Sequence, residues 1–167
     1  MNSFFLCLAF NFSIIKQEVF IYKDSLKTLC NSAEYLIQES KQNKIDPFVM
    51  TALIYYESAW QHNISGPTGD CGLTQILHKY VKDTSCKDLY QPNLAIYHGI
   101  RVLRTYKTYL ENKNRPSAIS DALKCYPSGY KCECTRCDAY SKKIMRLANK
   151  LKKEYKKIRK YSDETTR

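Results

Sequence analysis

The apolar residues of this chain recur every three or four positions, and this spacing constrains the fold more than any other feature of the sequence. One such stripe lies within residues 24–41 and consists of Leu26, Leu29, Cys30, Ala33, Leu36 and Ile37. It is typical of an amphipathic helix, and no stretch alternates apolar and polar residues convincingly enough for a strand. Because 167 residues that are 44% hydrophobic can form one core, we predict a single, mainly α-helical domain.

Turn-forming residues place the ends of the predicted helices. Asp46-Pro47 combines a capping residue with a proline at the first helical position, so a helix should begin there and end near Gln61. The other predicted helices are a short one after Gly72 through about Lys79, a long one opened by Pro92-Asn93, a brief one at 117–124 and a last one from about Asp138.

The two ends of the chain differ in composition from its middle. Residues 1–22 contain an apolar run over 4–15 that is like the centre of a signal peptide, but no Lys or Arg precedes the run and no clean small-x-small cleavage site follows it,. An export signal and an N-terminal segment that packs on the core both remain open. We expect a domain over residues 23–150 and a basic C-terminal extension over 151–167. No apolar run reaches the roughly 18 residues that span a bilayer.

Most of the formal net charge of +11 belongs to residues 142–160, which contain ten Lys or Arg and one acid, Glu154. Such a segment could bind nucleic acid, lie on a membrane or form a solvated helix face. Its apolar stripe indicates a helix packed on the domain, so a solvated face is expected. Weak attraction to anionic wall or phospholipid is the functional version of this reading. No nucleic-acid partner is expected.

Eight cysteines are many for a reducing cytosol and are typical of a disulfide-bearing secreted domain,. Cys71 and Cys86 could bridge one loop, whereas the remaining connectivity is open. Cleavage of the N-terminal segment would remove Cys7 and leave an odd number. The cluster Cys132, Cys134 and Cys137 also allows zinc, with a fourth ligand from Cys125, His62, His78 or His98. Its spacing is cramped for a zinc ribbon, so we expect disulfides and no metal.

Glu57 is the acid that stands out, since it lies in the last turn of the helix opened by Pro47. It also lies at the edge of the buried face, the helix dipole is negative there, and aromatic neighbours Tyr56 and Trp60 add desolvation, so all three effects raise the pKa of its carboxyl. A pKa of 6–7, which suits general acid catalysis, costs roughly 3 kcal/mol relative to a free glutamate. An ordinary helix-surface glutamate is the alternative.

Two motifs follow Glu57-Ser58, namely Gly72-Leu73-Thr74-Gln75-Ile76 and Cys125-Tyr126-Pro127-Ser128-Gly129. In this order, they resemble the motifs of the lytic transglycosylase family, whose SLT domain has a lysozyme-like helical fold similar to goose-type lysozyme. The resemblance covers about residues 28–148. It also includes Ile45-Asp46-Pro47 and Pro92-Asn93-Leu94-Ala95-Ile96, and it looks closest to the small secretion- and conjugation-associated branch or to phage relatives.

The resemblance implies a role for each matching residue. Glu57 matches the family's sole catalytic acid, Ser58 and Gln75 match residues that position the sugar and line the glycan groove, and Tyr126 matches a tyrosine that reaches the catalytic carboxyl. Tyr140 loosely resembles a late tyrosine near the cleft, although its spacing differs. The chain departs from the family pattern in three places, which are Thr74 for methionine, Cys125 for alanine and Pro127 for asparagine.

The implied reaction is cleavage of the bond between MurNAc and GlcNAc in peptidoglycan, with no cofactor. The sugar's own 6-hydroxyl closes a 1,6-anhydro ring, so a single carboxyl suffices as acid and base. A muramidase would instead need a second carboxylate, for which Asp70 is the candidate, although a loop aspartate more often makes a turn hydrogen bond. A non-catalytic glycan-binding or assembly protein is the third reading.

The same resemblance implies a setting for the protein. The expected partner is the peptidoglycan glycan strand, with a secretion, conjugation or phage assembly as a further candidate. The expected location is secreted, periplasmic or extracellular, with a phage virion as an alternative. The protein is expected to act as a monomer.

Overall fold

The computed structural model describes residues 1–15, 22–113 and 119–165. Six α-helices occur within these ranges: α1 (Ser3–Ile15), α2 (Lys23–Gln42), α3 (Pro47–Ser58), α4 (Pro92–Asn112), α5 (Ile119–Cys125) and α6 (Cys137–Thr165). Three short 3₁₀ helices cover His78–Tyr80, Asp88–Tyr90 and Gly129–Lys131. The mainly α-helical fold is therefore confirmed. The first two residues of the brief helix expected at 117–124 lie outside the described residues.

Helix α3 runs through the centre of the domain. Its buried side chains point to all sides and are those of Phe48, Val49, Met50, Thr51, Ala52, Leu53, Ile54 and Ser58. Helix α6 packs against α1, α3 and α5, while α4 packs against α2 and α5. Because α3 is enclosed in this way, its C-terminal end has a fixed position at the boundary between core and surface.

Both ends of α3 are set by local chemistry. The Asp46 side chain accepts a hydrogen bond from the Phe48 amide at 2.9 Å, and Pro47 occupies the first turn, as the sequence predicts. At the other end, Ala59 and Trp60 adopt positive φ values of 48° and 63°. The helix therefore ends at Ser58, a little before the expected Gln61, and the Trp60 side chain is fully buried in the core.

A small hairpin follows α3 and corrects two expectations. Strand β1 (Asp70–Cys71) pairs antiparallel with β2 (Ile76–Leu77), so the expectation of no strand and that of a helix from Gly72 to Lys79 are both wrong. Gly72 has φ +68°, and an added Cβ would lie 1.9 Å from the Leu89 carbonyl oxygen. The backbone turns at this glycine, so the apolar residues that follow it reach the core from a turn and not from a helix.

Helix α1 packs on α2 and α6. Leu6, Ala9 and Phe10 are buried in the common core, and Cys7 forms a disulfide with Cys30 of α2. The α6 side of this contact includes Tyr155, whose ring meets that of Phe5. The division into residues 1–22, 23–150 and 151–167 stays a prediction, and residues 16–21 and 166–167 lie outside the described part.

None of the helices in the described ranges is both long and apolar enough to cross a membrane.

The eight cysteines form four disulfides. Cys71 pairs with Cys86, as expected from the sequence. The other pairs are Cys7–Cys30, Cys125–Cys132 and Cys134–Cys137. The disulfide interpretation of the Cys132, Cys134 and Cys137 cluster is therefore confirmed over the zinc alternative, because a sulfur in a disulfide is not a thiolate ligand.

Candidate functional site

Glu57 lies in the last turn of α3, where that helix leaves the core. Its side chain is mostly buried, and its Oε1 accepts a hydrogen bond from the Tyr140 hydroxyl of α6. Tyr140 is one turn into α6, which begins at Cys137. The packing of α3 against α6 therefore brings the acid and this tyrosine together across a long stretch of sequence.

Burial raises the pKa of Glu57 from 4.5 to about 7. The hydrogen bond from Tyr140 lowers this pKa, since it stabilises the carboxylate, and the negative charge of Asp70 raises it,. The desolvation cost outweighs the hydrogen bond. A carboxyl with a pKa near 7 can donate a proton at neutral pH and can afterwards accept one, which suits general acid–base catalysis.

Burial also raises the pKa of the neighbouring phenols. Tyr140 and Tyr126 both have a pKa well above the usual value because they are desolvated, and the charge of Glu57 adds to the shift of each. Both tyrosines therefore remain neutral hydrogen-bond donors throughout the range in which Glu57 titrates. Two neutral phenols therefore lie close to the Glu57 carboxyl.

The turn between β1 and β2 is held against the helices by three hydrogen bonds. The Ser58 hydroxyl donates to the Leu73 carbonyl at 2.8 Å, and the Tyr126 hydroxyl donates to the Thr74 carbonyl at 2.9 Å. Thr74 in turn donates to the Ala95 carbonyl of α4 at 2.9 Å. The three sequence motifs therefore meet in one place. In this structure, Ser58 and Tyr126 fix the turn, and the hydroxyl that contacts Glu57 belongs to Tyr140.

Thr74 fits its position closely. It is fully buried, and a Cβ added to Gly99 of α4 would come within 2.5 Å of its Cγ2 atom. The threonine hydroxyl also requires an acceptor, which the Ala95 carbonyl provides,. Thr74 stands where the family pattern has methionine, and Gly99 and the Ala95 carbonyl of α4 accommodate this threonine.

Gln75 lies in the same turn, with a positive φ of 46°. Its amide nitrogen donates to the Gly72 carbonyl at 2.8 Å and approaches the Ile64 carbonyl at 3.4 Å. The Gln75 side chain thus stabilises the turn in which it lies.

Asp70 is the first residue of β1 and is partly exposed. Its carboxylate accepts a hydrogen bond from the Thr68 hydroxyl, and its backbone carbonyl accepts one from the Gly66 amide at 2.8 Å. The sequence predicts a turn hydrogen bond between this carboxylate and the backbone, whereas the group that donates to it is the Thr68 side chain. Asp70 is also near enough to Glu57 for its charge to act on the pKa of that carboxyl. The structure thus brings Asp70 towards the site without burying it.

Sequence reasoning gave little weight to Tyr140, because its spacing from Tyr126 departs from the family pattern. Helical spacing offered a signal: Tyr140 is on the same face of α6 as Ile144, Leu147 and Leu151, which is the face packed on the core,. Among the residues that the structure describes, no group of three or more His, Cys, Asp or Glu could hold a metal ion.

Comparison with known proteins gives one result. The family model described as the transglycosylase SLT domain matches residues 34–158, which is well over half of the chain. No curated protein and no solved structure gave a match. The matched range begins within α2 and ends within α6, so it contains Glu57, the β1–β2 turn and both tyrosines. The chain belongs to the transglycosylase SLT domain family, whose lysozyme-like fold serves lytic cleavage of peptidoglycan.

Proposed function

We propose that this protein is a peptidoglycan lytic transglycosylase in which Glu57 acts as both acid and base. The observation that carries the proposal is the single carboxyl whose burial raises its pKa to about 7, placed where α3 meets α6. Of the two carboxyls in this region, only that of Glu57 combines burial with a contact to a neutral tyrosine hydroxyl.

The proposed reaction begins with protonated Glu57 beside the glycosidic oxygen between MurNAc and GlcNAc. The carboxyl donates its proton to this oxygen as the bond to the anomeric carbon breaks, and the GlcNAc-terminated strand leaves as the alcohol. The Glu57 carboxylate then accepts the proton of the MurNAc 6-hydroxyl, whose oxygen bonds to the anomeric carbon. The product is a 1,6-anhydro ring. No water is consumed, and Glu57 returns to its protonated form.

Tyr140 has a positioning role in this proposal. Its hydroxyl donates to Oε1 of Glu57 and stabilises the carboxylate that forms after the first proton transfer. Ser58 and Tyr126 act one step further away, because they hold the β1–β2 turn in position. Gln75 stabilises the same turn, because its side chain donates to the Gly72 carbonyl. These roles are weaker than that of the acid, since none of these groups exchanges a proton with the sugar.

A muramidase that uses Glu57 with Asp70 is the second candidate, and one observation favours it. The negative charge of Asp70 raises the pKa of Glu57, so the two carboxyls are close enough to interact. An inverting hydrolase keeps a water between two carboxyls roughly 6.5–9.5 Å apart. Against this candidate, the Asp70 carboxylate already accepts a hydrogen bond from Thr68, in a loop fixed by Gly66.

The setting proposed for the enzyme follows from its substrate and its disulfides. Peptidoglycan lies outside the cytosol, and four disulfides are compatible with an oxidising compartment,. We therefore place the protein in the periplasm or outside the cell, with glycan strands as its partner. A role of the enzyme in a secretion, conjugation or phage assembly is a proposal that rests on the resemblance alone.

The test is digestion of purified peptidoglycan by the wild-type protein and by Glu57→Gln. The variant keeps the shape of the side chain but has no proton to donate. We expect wild-type protein to release soluble fragments and the variant to release them at least a thousandfold more slowly. Glu34→Gln, an exposed glutamate of α2, is the matched control and should retain full activity. Full activity of a folded Glu57→Gln variant would remove the acid from the mechanism.

A further inference from the structure

A polar cavity lies on the exposed face of α4, among residues that follow the part of this helix in contact with Thr74. It encloses about 530 Å³ and is bordered by Arg101, Arg104, Asn112 and Tyr130, with Asn43 at its base. None of the described residues that line it is acidic. Two guanidinium groups therefore face a space without a carboxylate among its lining residues to neutralise them. An anionic ligand is the chemical complement of such a cavity.

Both arginines are held in place by neighbouring side chains. Arg104 Nη1 donates to Asn43 Oδ1 at 3.0 Å, and the Asn43 amide is itself fixed by donating to the Glu39 carboxylate at 2.8 Å. Arg101 stacks with its guanidinium carbon 4.6 Å from the centre of the Tyr97 ring. Each guanidinium retains further N–H donors. The side chains are therefore ordered before a ligand arrives, which lowers the entropy cost of binding.

Aromatic side chains connect this cavity to the acid. The Tyr130 ring contacts those of Tyr109 and Tyr106 in edge-on geometry, at centroid distances of 4.9 and 5.3 Å. Burial raises the pKa of Tyr126, and both Glu57 and Tyr106 add to that shift, so Tyr106 lies near Tyr126 while its ring contacts Tyr130 at the cavity. Tyr130 is 56% exposed, and such a ring gives a sugar or a peptide an apolar surface to lie on.

We propose that this cavity binds the carboxylate-bearing peptide stem of the glycan strand that Glu57 cleaves. The inference rests on the proposed function, because that function supplies the strand. The stem branches from the muramic sugar itself, and a peptide of about four residues spans up to roughly 14 Å when extended. Arg101 and Arg104 would pair with stem carboxylates, and Thr105 and Asn112 offer polar groups to its backbone.

The cavity would therefore select strands whose stems carry free carboxylates. Amidation removes the charge but keeps the size of the stem, so an amidated stem should lose the ion pairs with both arginines. A sugar strand without stems should not use the cavity at all. These three ligands separate the contribution of the arginines from that of the sugar groove.

The experiment measures binding calorimetrically with full-length protein that carries Glu57→Gln, so that no ligand is cleaved. The probes are a GlcNAc-MurNAc-peptide with free carboxylates, the same compound with amidated carboxylates, and the disaccharide alone. We expect the added changes Arg101→Ala and Arg104→Ala to weaken binding of the first probe at least tenfold and to leave the other two unchanged. The lysine versions, Arg101→Lys and Arg104→Lys, should recover part of the affinity.

The matched control removes the same charge elsewhere, through Lys27→Ala and Arg159→Ala. Lys27 is exposed and lies about 24 Å along α2 from Asn43,, and Arg159 is exposed on α6. This control should bind all three probes like its parent. Equal affinity of the parent for free and amidated stems would overturn the proposal, as would equal losses in the cavity variant and the control. If the binding pattern holds while the wild-type protein cleaves nothing, only the proposed function fails.

Discussion

Glu57 and Asp70 are two carboxylates that meet near one site, but they stand on regions that are built differently. Glu57 lies in the last turn of α3, whose side chains are buried on all sides, and a hydrogen bond from the Tyr140 side chain lowers its pKa. Asp70 begins the short strand β1 of a surface hairpin, where the Cys71–Cys86 disulfide follows it and its carboxylate accepts a hydrogen bond from the Thr68 hydroxyl. The Glu57 carboxyl at the end of α3 is desolvated by burial, whereas the Asp70 carboxylate belongs to a partly exposed residue. Burial therefore selects the acid from the pair.

Removing the disulfide of the Asp70 loop tests how that region is held. The change Cys71→Ser with Cys86→Ser opens a loop of 15 residues and should lower the free energy of unfolding by about 3 kcal/mol, because the unfolded chain gains entropy. Chemical denaturation measures this loss. Cys134→Ser with Cys137→Ser is the control and should cost less, since it opens a much shorter loop. Equal losses would show that loop length does not govern the effect.

The burial of Glu57 should appear as a dependence of stability on pH. Its pKa is raised in the folded state from 4.5 to about 7, so between these values the folded protein binds more protons and its stability falls as pH rises. Glu57→Gln removes this loss. We expect the unfolding free energy of the variant, relative to wild type, to rise by roughly 3 kcal/mol from pH 4 to pH 8.

Denaturant titrations at both pH values measure the difference, and Glu34→Gln on α2 serves as the exposed control. A relative stability of Glu57→Gln that does not change with pH would mean that the carboxyl is solvated, as that of Asp70 is. The comparison between the two regions would then lose its basis.

Tyr140→Phe removes the donor to Glu57 and should act on both rate and pH profile. We expect the rate to fall about tenfold, because the carboxylate formed in the reaction loses its hydrogen bond. That bond lowers the pKa of Glu57, so the alkaline limb of the pH–rate profile should move to higher pH. Tyr80→Phe is the control at an exposed tyrosine. An alkaline limb that stays in place would argue against direct contact in solution.

Asp70→Asn should have the smallest effect, and its sign is opposite. The charge of Asp70 raises the pKa of Glu57, so its removal should move the alkaline limb to lower pH while the rate stays within about tenfold of wild type. The pH–rate profile on purified peptidoglycan measures both quantities. A loss as large as that of Glu57→Gln would make Asp70 a second catalytic carboxylate.

Much of this site could be predicted from the sequence where local chemistry decides the structure. Asp46-Pro47 set the start of α3 and so the place of Glu57, and the position of that acid in the last helical turn indicated a raised pKa. Cys71 and Cys86 could bridge one loop, and the structure pairs them. In each case, the residues involved are near neighbours in the sequence.

The remainder depends on contacts between distant segments. Leu73 and Ile76 fit a helical spacing, but Gly72 adopts a positive φ against the distant Leu89 carbonyl, and the chain forms a hairpin instead. The contact between Tyr140 and Glu57 arises from the packing of α6 on α3. At the cavity beside Tyr130, the hydrogen bond from Arg104 to Asn43 connects α4 to the end of α2. No local sequence pattern indicates this cavity.

The most direct test of the central claim is the mass of the products from purified peptidoglycan. With Glu57 as the sole acid and base, the 6-hydroxyl attacks within the same molecule and gains several kcal/mol from proximity alone. We predict 1,6-anhydro-muramyl ends that are lighter by one water than hydrolysis products, from wild type and Asp70→Asn alike. Reducing muramyl ends from the wild-type protein, together with an inactive Asp70→Asn variant, would contradict this account and identify a muramidase.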